Sequence, residues 1–207
     1  PKTMYLMRPI ICLLIFGATL LVTSCGKDDV TGGLLQTDET KAAGDIIDQV
    51  NRTKMRPIKE RFRESEPKIE DLQNALKAKD VAKVKSIAGE LIEAIDDGIG
   101  IGREAITEIR KAQDLNINDD YKRYLQLKIE ALEKYIEAFE ERKKAAKILR
   151  DGYDPKNSAI RDKALGEFKS YDEKFKEIME DARIISDEAN LLAKESLHRG
   201  TNSQLEI

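Results

Sequence analysis

Two aspartates followed by three alternating glycines form the clearest candidate for a binding site in this sequence. The aspartates are Asp96 and Asp97, and the glycines are Gly98, Gly100 and Gly102. Each glycine costs about 1 kcal/mol relative to alanine in a helix interior, so the cluster needs a structural use. Gly98 and Gly102 share one helical face, which favours close packing of another helix or a kink. The alternative is a break in the helix that opens a small-ligand pocket, with the two carboxylates at its edge.

The sequence offers little for metal or nucleophilic chemistry. Glu195 lies three residues before His198, a spacing that puts two metal ligands on one helix face. Di-iron bundles use two such pairs, however, and His198 is the only histidine in the chain. We therefore predict no metal, no cofactor and no histidine-assisted catalysis. Carboxylates such as Glu140 and Glu141 have the spacing of helix-surface charges, so an enzyme with a carboxylate-only site is the third hypothesis for function.

The most basic stretch of the chain combines five cations: Lys54, Arg56, Lys59, Arg61 and Arg63. On a helix, Arg56, Lys59 and Arg63 share a face that could meet lipid phosphates or a polyanionic glycan. Glutamates at three neighbouring positions dilute this charge, so a solvated helix surface is the favoured interpretation. The formal net charge of the whole chain is −3, which argues against a nucleic-acid-binding protein.

An uncharged hydrophobic run near the N-terminus ends at a cysteine. Arg8 precedes the run, residues 10–22 carry no charge, and the sequence Val22-Thr23-Ser24-Cys25 closes it. The run is too short for a membrane-spanning helix, which needs about 20 apolar residues, and is typical of a signal-peptide core. The four residues ending at Cys25 resemble the lipobox of bacterial lipoproteins. The resemblance implies cleavage before Cys25, a diacylglycerol on its sulfur and usually an acyl chain such as palmitate on its new amino group. An ordinary secretory signal is the alternative.

Three charged residues just behind this cysteine add a prediction of location. Lys27, Asp28 and Asp29 resemble the surface-export signal of Bacteroidetes-type lipoproteins. The resemblance implies a protein lipid-anchored in the outer membrane, with display at the cell surface slightly favoured over a periplasm-facing position. Cys12 lies inside the predicted signal peptide, so the mature domain would have no thiol left for a disulfide.

The rest of the chain has the composition and periodicity of long helices. Charged residues make up 36% of the chain and aromatic residues only 5%, a balance typical of helical proteins. Apolar residues recur at spacings of three and four in four segments: residues 39–78, 80–115, 119–152 and 154–197. No segment alternates with a period of two, so we expect no sheet. Because the turns are short, the pattern predicts an all-α, elongated, antiparallel up-down-up-down four-helix bundle.

Two features refine this predicted fold. Pro57 and Pro67 fall in the first segment and predict a proline-kinked first helix, with a division into two helices as the alternative. The last segment has an apolar stripe that alternates four and three residues over four heptads, as in a coiled coil. We expect the larger members of this stripe to be core residues: Phe168, Tyr171, Phe175 and Ile178.

The predicted organisation has four parts: a signal peptide at 1–24, a lipidated flexible tether at 25–37, a helical bundle domain at 38–197 and a disordered tail at 198–207. The leading hypothesis is a lipid-anchored cell-envelope protein that binds or scaffolds and is not an enzyme. Its partners would be the membrane, through the lipid on Cys25, and an unidentified protein or glycan, but no nucleic acid. A small-ligand binder with a pocket near residues 98–102 is the second hypothesis.

Overall fold

The computed structural model describes residues 38–202, without the side chains of residues 38, 62–66 and 195–202. The described chain forms five α-helices and one π-helical segment: α1 (Asp38–Val50), the π-helical segment (Asn51–Met55), α2 (Arg56–Ala78), α3 (Val81–Gln113), α4 (Asp119–Gly152) and α5 (Ser158–Asn202). No strand occurs in this part of the chain, so the prediction of a bundle-like, all-α fold is confirmed. The predicted signal peptide and tether, including Cys25 and the charged residues behind it, lie outside the described residues, as do residues 203–207.

Side-chain caps fix the starts of α3 and α4. The Asp80 carboxylate accepts a hydrogen bond from the backbone N–H of Lys83 at 3.0 Å, so α3 starts where the sequence predicts. The Asn118 side chain accepts from the backbone N–H of Tyr121 at 2.8 Å and caps α4 in the same way. None of the helices within residues 38–202 is long and apolar enough to cross a bilayer.

The start of α5 differs from the prediction, which placed it at Asp154. The Asp154 carboxylate instead accepts from the backbone N–H of Lys156 at 2.9 Å, within the turn that precedes the helix. Asn157 takes the capping role, because its side-chain oxygen accepts from the backbone N–H groups of Ala159 and Ile160. The helix therefore begins at Ser158.

A π-helical turn divides the first predicted segment. Pro57 lies in the first turn of α2 and has no N–H to donate to the carbonyl four residues earlier. Just before it the chain widens, and the N–H of Arg56 donates to the carbonyl of Asn51, five residues back. Pro67 lies inside α2, which continues past it to Ala78. The segment thus consists of three consecutive helical pieces and not of one regular helix.

Two apolar clusters join α3 and α4 to the first segment. The cluster at the start of the domain combines α1, α3 and α4, and includes Ile47, Ile109 and Leu125. The cluster at the opposite end combines α2, α3 and the end of α4, and includes Leu72, Val84 and Leu149. Tyr153 closes this second cluster, where its hydroxyl donates to the carbonyl of Leu76 at 3.4 Å.

The last helix packs mainly along α4, and its apolar stripe is only partly covered. Ala164, Ala182 and Ala189 are buried, as the stripe predicts. The four larger residues expected in the core are half-buried instead: Phe168, Tyr171, Phe175 and Ile178. The reason is that α5 makes most of its contacts with α4, so mainly one neighbour covers a stripe wide enough for two.

Candidate functional site

The helix α3 runs without a break through the predicted glycine site. Gly98 and Gly102 are buried, whereas Gly100 is exposed. A Cβ atom placed on Gly102 would lie 3.3 Å from the Cδ1 atom of Ile136 in α4, but a Cβ on Gly100 would meet nothing within 4 Å. Gly102 therefore marks a close approach of α4 to α3. The sequence predicted such close packing for the helical face that carries Gly98 and Gly102.

The two predicted ligand-binding aspartates contact neighbouring helices. Asp96 pairs with Lys143 of α4, and Asp97 pairs with Arg61 of α2. Both carboxylates are partly exposed, so these pairs are solvated ion pairs. The glycine segment thus lies between α2 and α4, with one carboxylate directed to each. Binding of a small ligand at residues 96–102 stays a prediction, and such a ligand would compete with both cations.

The Asp97 pair belongs to a regular set of ion pairs, which we call the first ladder. Its cations and its carboxylates each recur every seven residues: Lys54 with Glu104, Arg61 with Asp97, and Lys68 with Glu90. Residue numbers rise on one helix as they fall on the other, so α2 and α3 run in opposite directions along this contact. The hydrogen bond from Lys68 also holds the pKa of Glu90 below its usual value. Exposed pairs contribute little to stability, so the ladder follows the register of α2 against α3 and does not enforce it.

Two shallow grooves flank α4 on one side of the molecule. The groove between α3 and α4 measures about 320 Å³ and is bridged by two ion pairs, Arg103 with Glu140 at 3.4 Å and Arg110 with Glu133 at 2.8 Å. The groove between α4 and α5 measures about 310 Å³ and includes Ile185. Charged side chains therefore span the first groove, and neither groove includes the predicted glycine site.

A buried carboxylate lies between α4 and α5, at a residue that was not predicted from the sequence. The Asp172 carboxylate, only 8% exposed, contacts Arg142 at 3.4 Å and Lys176 at 2.7 Å. The Arg142 guanidinium lies 4.0 Å from the centre of the Phe175 ring, and Phe175 meets Phe139 edge to face at 5.6 Å. Burial lowers the pKa of Arg142 below its usual value, and the nearby Asp172 carboxylate partly opposes this shift. A guanidinium keeps its proton in such a site, so the cluster holds two helices together and offers no base.

One signal for this cluster was present in the sequence. Asp172 lies four residues after Phe168 and three before Phe175, which places it on the apolar face of the last helix. Its partner Arg142 lies 30 residues earlier in sequence on another helix, so sequence spacing alone gave no means of pairing them.

A tyrosine hydroxyl of α4 has no hydrogen-bond partner within the described residues. The hydroxyl of Tyr135 is buried, and one oxygen of Glu141 is buried and unbonded in the same way. Burial raises the pKa of Tyr135, and the carboxylate of Asp187 raises it further while Arg183 opposes the change. Tyr135 therefore keeps its proton at neutral pH and is no candidate for a base.

The other candidate residues do not assemble into a site among the described side chains. Lys54 and Arg61 of the basic stretch belong to the first ladder, whereas Arg56 and Lys59 are exposed. No group of three or more His, Cys, Asp or Glu residues is placed to hold a metal in the described part of the chain. The side chains of Glu195 and His198 lie outside it.

Comparison of the chain with known protein families, with curated proteins and with solved structures gives no significant match.

Proposed function

We propose that this chain is a lipid-anchored protein of the cell envelope that acts by binding or scaffolding and not by catalysis. The observation that carries the proposal is the sequence Val22-Thr23-Ser24-Cys25 at the end of an uncharged run. A lipid on Cys25 would be separated by 12 residues from α1, which begins at Asp38. The proposal assigns the outer membrane as the site of anchoring, with the helical domain displayed at the cell surface.

We propose for the helical domain an elongated, antiparallel four-helix bundle whose first helix is kinked at its prolines. The opposed residue numbering of the first ladder supports this arrangement, as do the short turns at 79–80, 114–118 and 153–157. In such a bundle the 33 residues of α3 span about 50 Å. A rigid rod of this length suits a protein that holds a surface at a distance from its anchor.

The anchored end of this rod follows from one contact. Glu39, in the first turn of α1, accepts a hydrogen bond from the backbone N–H of Asn116 in the turn between α3 and α4. The chain therefore enters the folded domain beside residues 114–118. A lipid on Cys25 would lie near that end, and the turns at 79–80 and 153–157 would form the far end.

Cell fractionation tests the proposal. Cys25→Ser should release the protein from the membrane fraction and abolish labelling with palmitate, whereas Cys12→Ser, in the predicted signal peptide, should change neither. Protease applied to intact cells should degrade the native protein, and replacing Lys27, Asp28 and Asp29 by alanine should protect it. Unchanged membrane partition of Cys25→Ser would exclude the lipid anchor, and full protection of the native protein would indicate a periplasm-facing position.

A further inference from the structure

Six exposed lysines collect at one end of the molecule. They lie at the end of α2, the start of α3, the end of α4 and the turn before α5: Lys77, Lys79, Lys83, Lys85, Lys147 and Lys156. Within the described part of the chain, none of the six forms an ion pair with a carboxylate. We call this group the cationic tip. It is positioned at the end opposite to the start of α1.

The tip is assembled by folding, because its lysines come from segments far apart in sequence. The second apolar cluster, with Leu72, Val84 and Leu149, packs the ends of α2 and α4 against the start of α3. Lys85 and Lys147 are close enough to Asp151 for both to help lower its pKa, after the larger effect of the hydrogen bond from Arg150. Lys85 of α3 and Lys147 of α4 therefore bring positive charge close to the same carboxylate.

Three carboxylates near the tip already accept hydrogen bonds or form an ion pair within the protein. Asp80 caps α3, Asp154 accepts a backbone hydrogen bond in the turn before α5, and Asp151 is held by Arg150 at 2.7 Å. Several cations elsewhere in the described chain pair across helices, as in the first ladder. The six lysines outnumber these three carboxylates, which leaves positive charge at this end for an external anion.

We propose that the cationic tip binds an anionic polysaccharide through its carboxylate, sulfate or phosphate groups. Lysine ammonium groups are mobile point charges, which suit a polymer with repeated charges better than one small ligand held in a fixed geometry. The proposal rests on the proposed lipid anchor in one respect only. The anchor at the α1 end would hold the tip about 50 Å from the membrane, where a polymer of the envelope is within reach.

The distribution of exposed apolar residues favours a polysaccharide over a bilayer. A membrane-binding surface combines cations with apolar side chains that enter the lipid. Ile160 and Leu165 near the tip are 44% and 36% exposed, whereas Ile184 and Leu191 towards the opposite end are 54% and 57% exposed. Exposed apolar side chains are thus not concentrated at the lysines, and the tip is distinguished by its positive charge.

Binding to fluorescent dextran sulfate tests the proposal, with uncharged dextran as the reference polymer. The protein is the full chain carrying Cys25→Ser, so that failure of the lipid anchor in cells and failure of the tip are separate results. The tip variant is Lys79→Gln with Lys83→Gln and Lys85→Gln. The control variant removes three lysines without ion pairs at other positions: Lys41→Gln with Lys122→Gln and Lys194→Gln. Both variants change the net charge equally.

The unsubstituted tip should bind dextran sulfate and not dextran. The tip variant should bind at least about tenfold more weakly, and its slope of log Kd against log salt should fall by about two to three, since three ionic contacts are lost. The control variant should stay within about twofold of the parent. Lys147→Gln with Lys156→Gln gives a second tip variant, should the triple change reduce helicity. Equal weakening by the control, or binding to phosphatidylglycerol vesicles without binding to dextran sulfate, would overturn the proposal.

Discussion

Substitution of Gly100 by alanine tests whether α3 is continuous at the glycine cluster. Gly100 is exposed within the helix, and an added Cβ would meet nothing within 4 Å. Alanine should therefore raise the free energy of unfolding by about 0.5–1 kcal/mol, because it loses less backbone freedom than glycine on folding. In a domain of this size that gain raises the melting temperature by about 1–4 °C. Gly89→Ala in the same helix is the matched control, since its Cβ would also meet nothing within 4 Å.

Substitution of Gly102 by alanine should differ, because α4 lies close to this residue. The added Cβ would lie 3.3 Å from Cδ1 and 3.4 Å from Cγ1 of Ile136, so the Ile136 side chain must shift by a few tenths of an ångström. Overpacking costs typically about 1–3 kcal/mol, which cancels or exceeds the helix-propensity gain. Gly102→Ala should thus be less stable than Gly100→Ala by about 1 kcal/mol or more.

A double-mutant cycle with Ile136→Val isolates this contact. Valine lacks the Cδ1 atom, so Gly102→Ala should recover about 0.5–1 kcal/mol in that background, whereas Gly100→Ala should be unaffected by the change at Ile136. Urea unfolding followed by circular dichroism at 222 nm gives each free energy. Equal effects of Gly100→Ala and Gly102→Ala, with no coupling to Ile136, would refute close packing. Destabilisation by Gly100→Ala would refute the continuous helix and favour a ligand pocket at residues 96–102.

Two further predictions concern α4 and α5. Tyr135→Phe should leave stability unchanged or raise it by about 1 kcal/mol, because the buried hydroxyl has no partner within the described residues, whereas Tyr153→Phe should cost about 0.5–1 kcal/mol by losing a hydrogen bond. Since burial raises the pKa of Tyr135, Tyr135→Phe should also reduce the loss of stability above about pH 10, and a pH series that is identical for both proteins would contradict this. Phe175→Ala should cost about 2–3 kcal/mol in urea melts, less than for a core residue because the ring is half-buried, and exposed Glu177→Ala should cost under about 0.5 kcal/mol. Equal costs for these last two would show that the face of α5 is assigned wrongly.

The extent of the helices was predictable because the signals that start and stop them are local. Asp80 and Asn118 accept backbone hydrogen bonds within three residues of themselves, so their side chains alone mark the helix starts. The start of α5 was predicted wrongly because Asp154 and Asn157 can both cap, and only the folded turn decides between them. Local chemistry identifies the candidates in such a case, but not the residue that is used.

The burial of α5 was less predictable, because periodicity identifies the apolar face of a helix but not the neighbours that cover it. The stripe identifies which face of the helix is apolar, and Ala164, Ala182 and Ala189 on that face are buried. The number of helices that cover the face depends on the arrangement of the whole domain. Because α5 packs mainly along α4, the larger residues of the stripe, such as Phe168 and Phe175, are only half-buried.

At the candidate site, too, the residue types were predictable from the sequence, but the contacts between them were not. The sequence locates carboxylates beside glycines, and the seven-residue spacing of the first-ladder cations and acids is also visible in it. Which charges meet depends on how α2 and α4 align with α3, and that alignment assigns Asp97 to Arg61 and Asp96 to Lys143. Residues that looked available for a ligand are therefore engaged between helices.

The buried charges between α4 and α5 provide the register that these exposed pairs cannot enforce. An exposed pair can be exchanged for water at little cost, but separating the buried Asp172 carboxylate from Arg142 removes one of its two cationic partners and costs more. A slip of α5 along α4 by one heptad would separate Arg142 from Asp172 and also remove the Phe175 ring from the guanidinium. We infer that this cluster fixes the axial position of α5. It thereby fixes where the turn carrying Lys156 lies relative to the other lysines of the cationic tip.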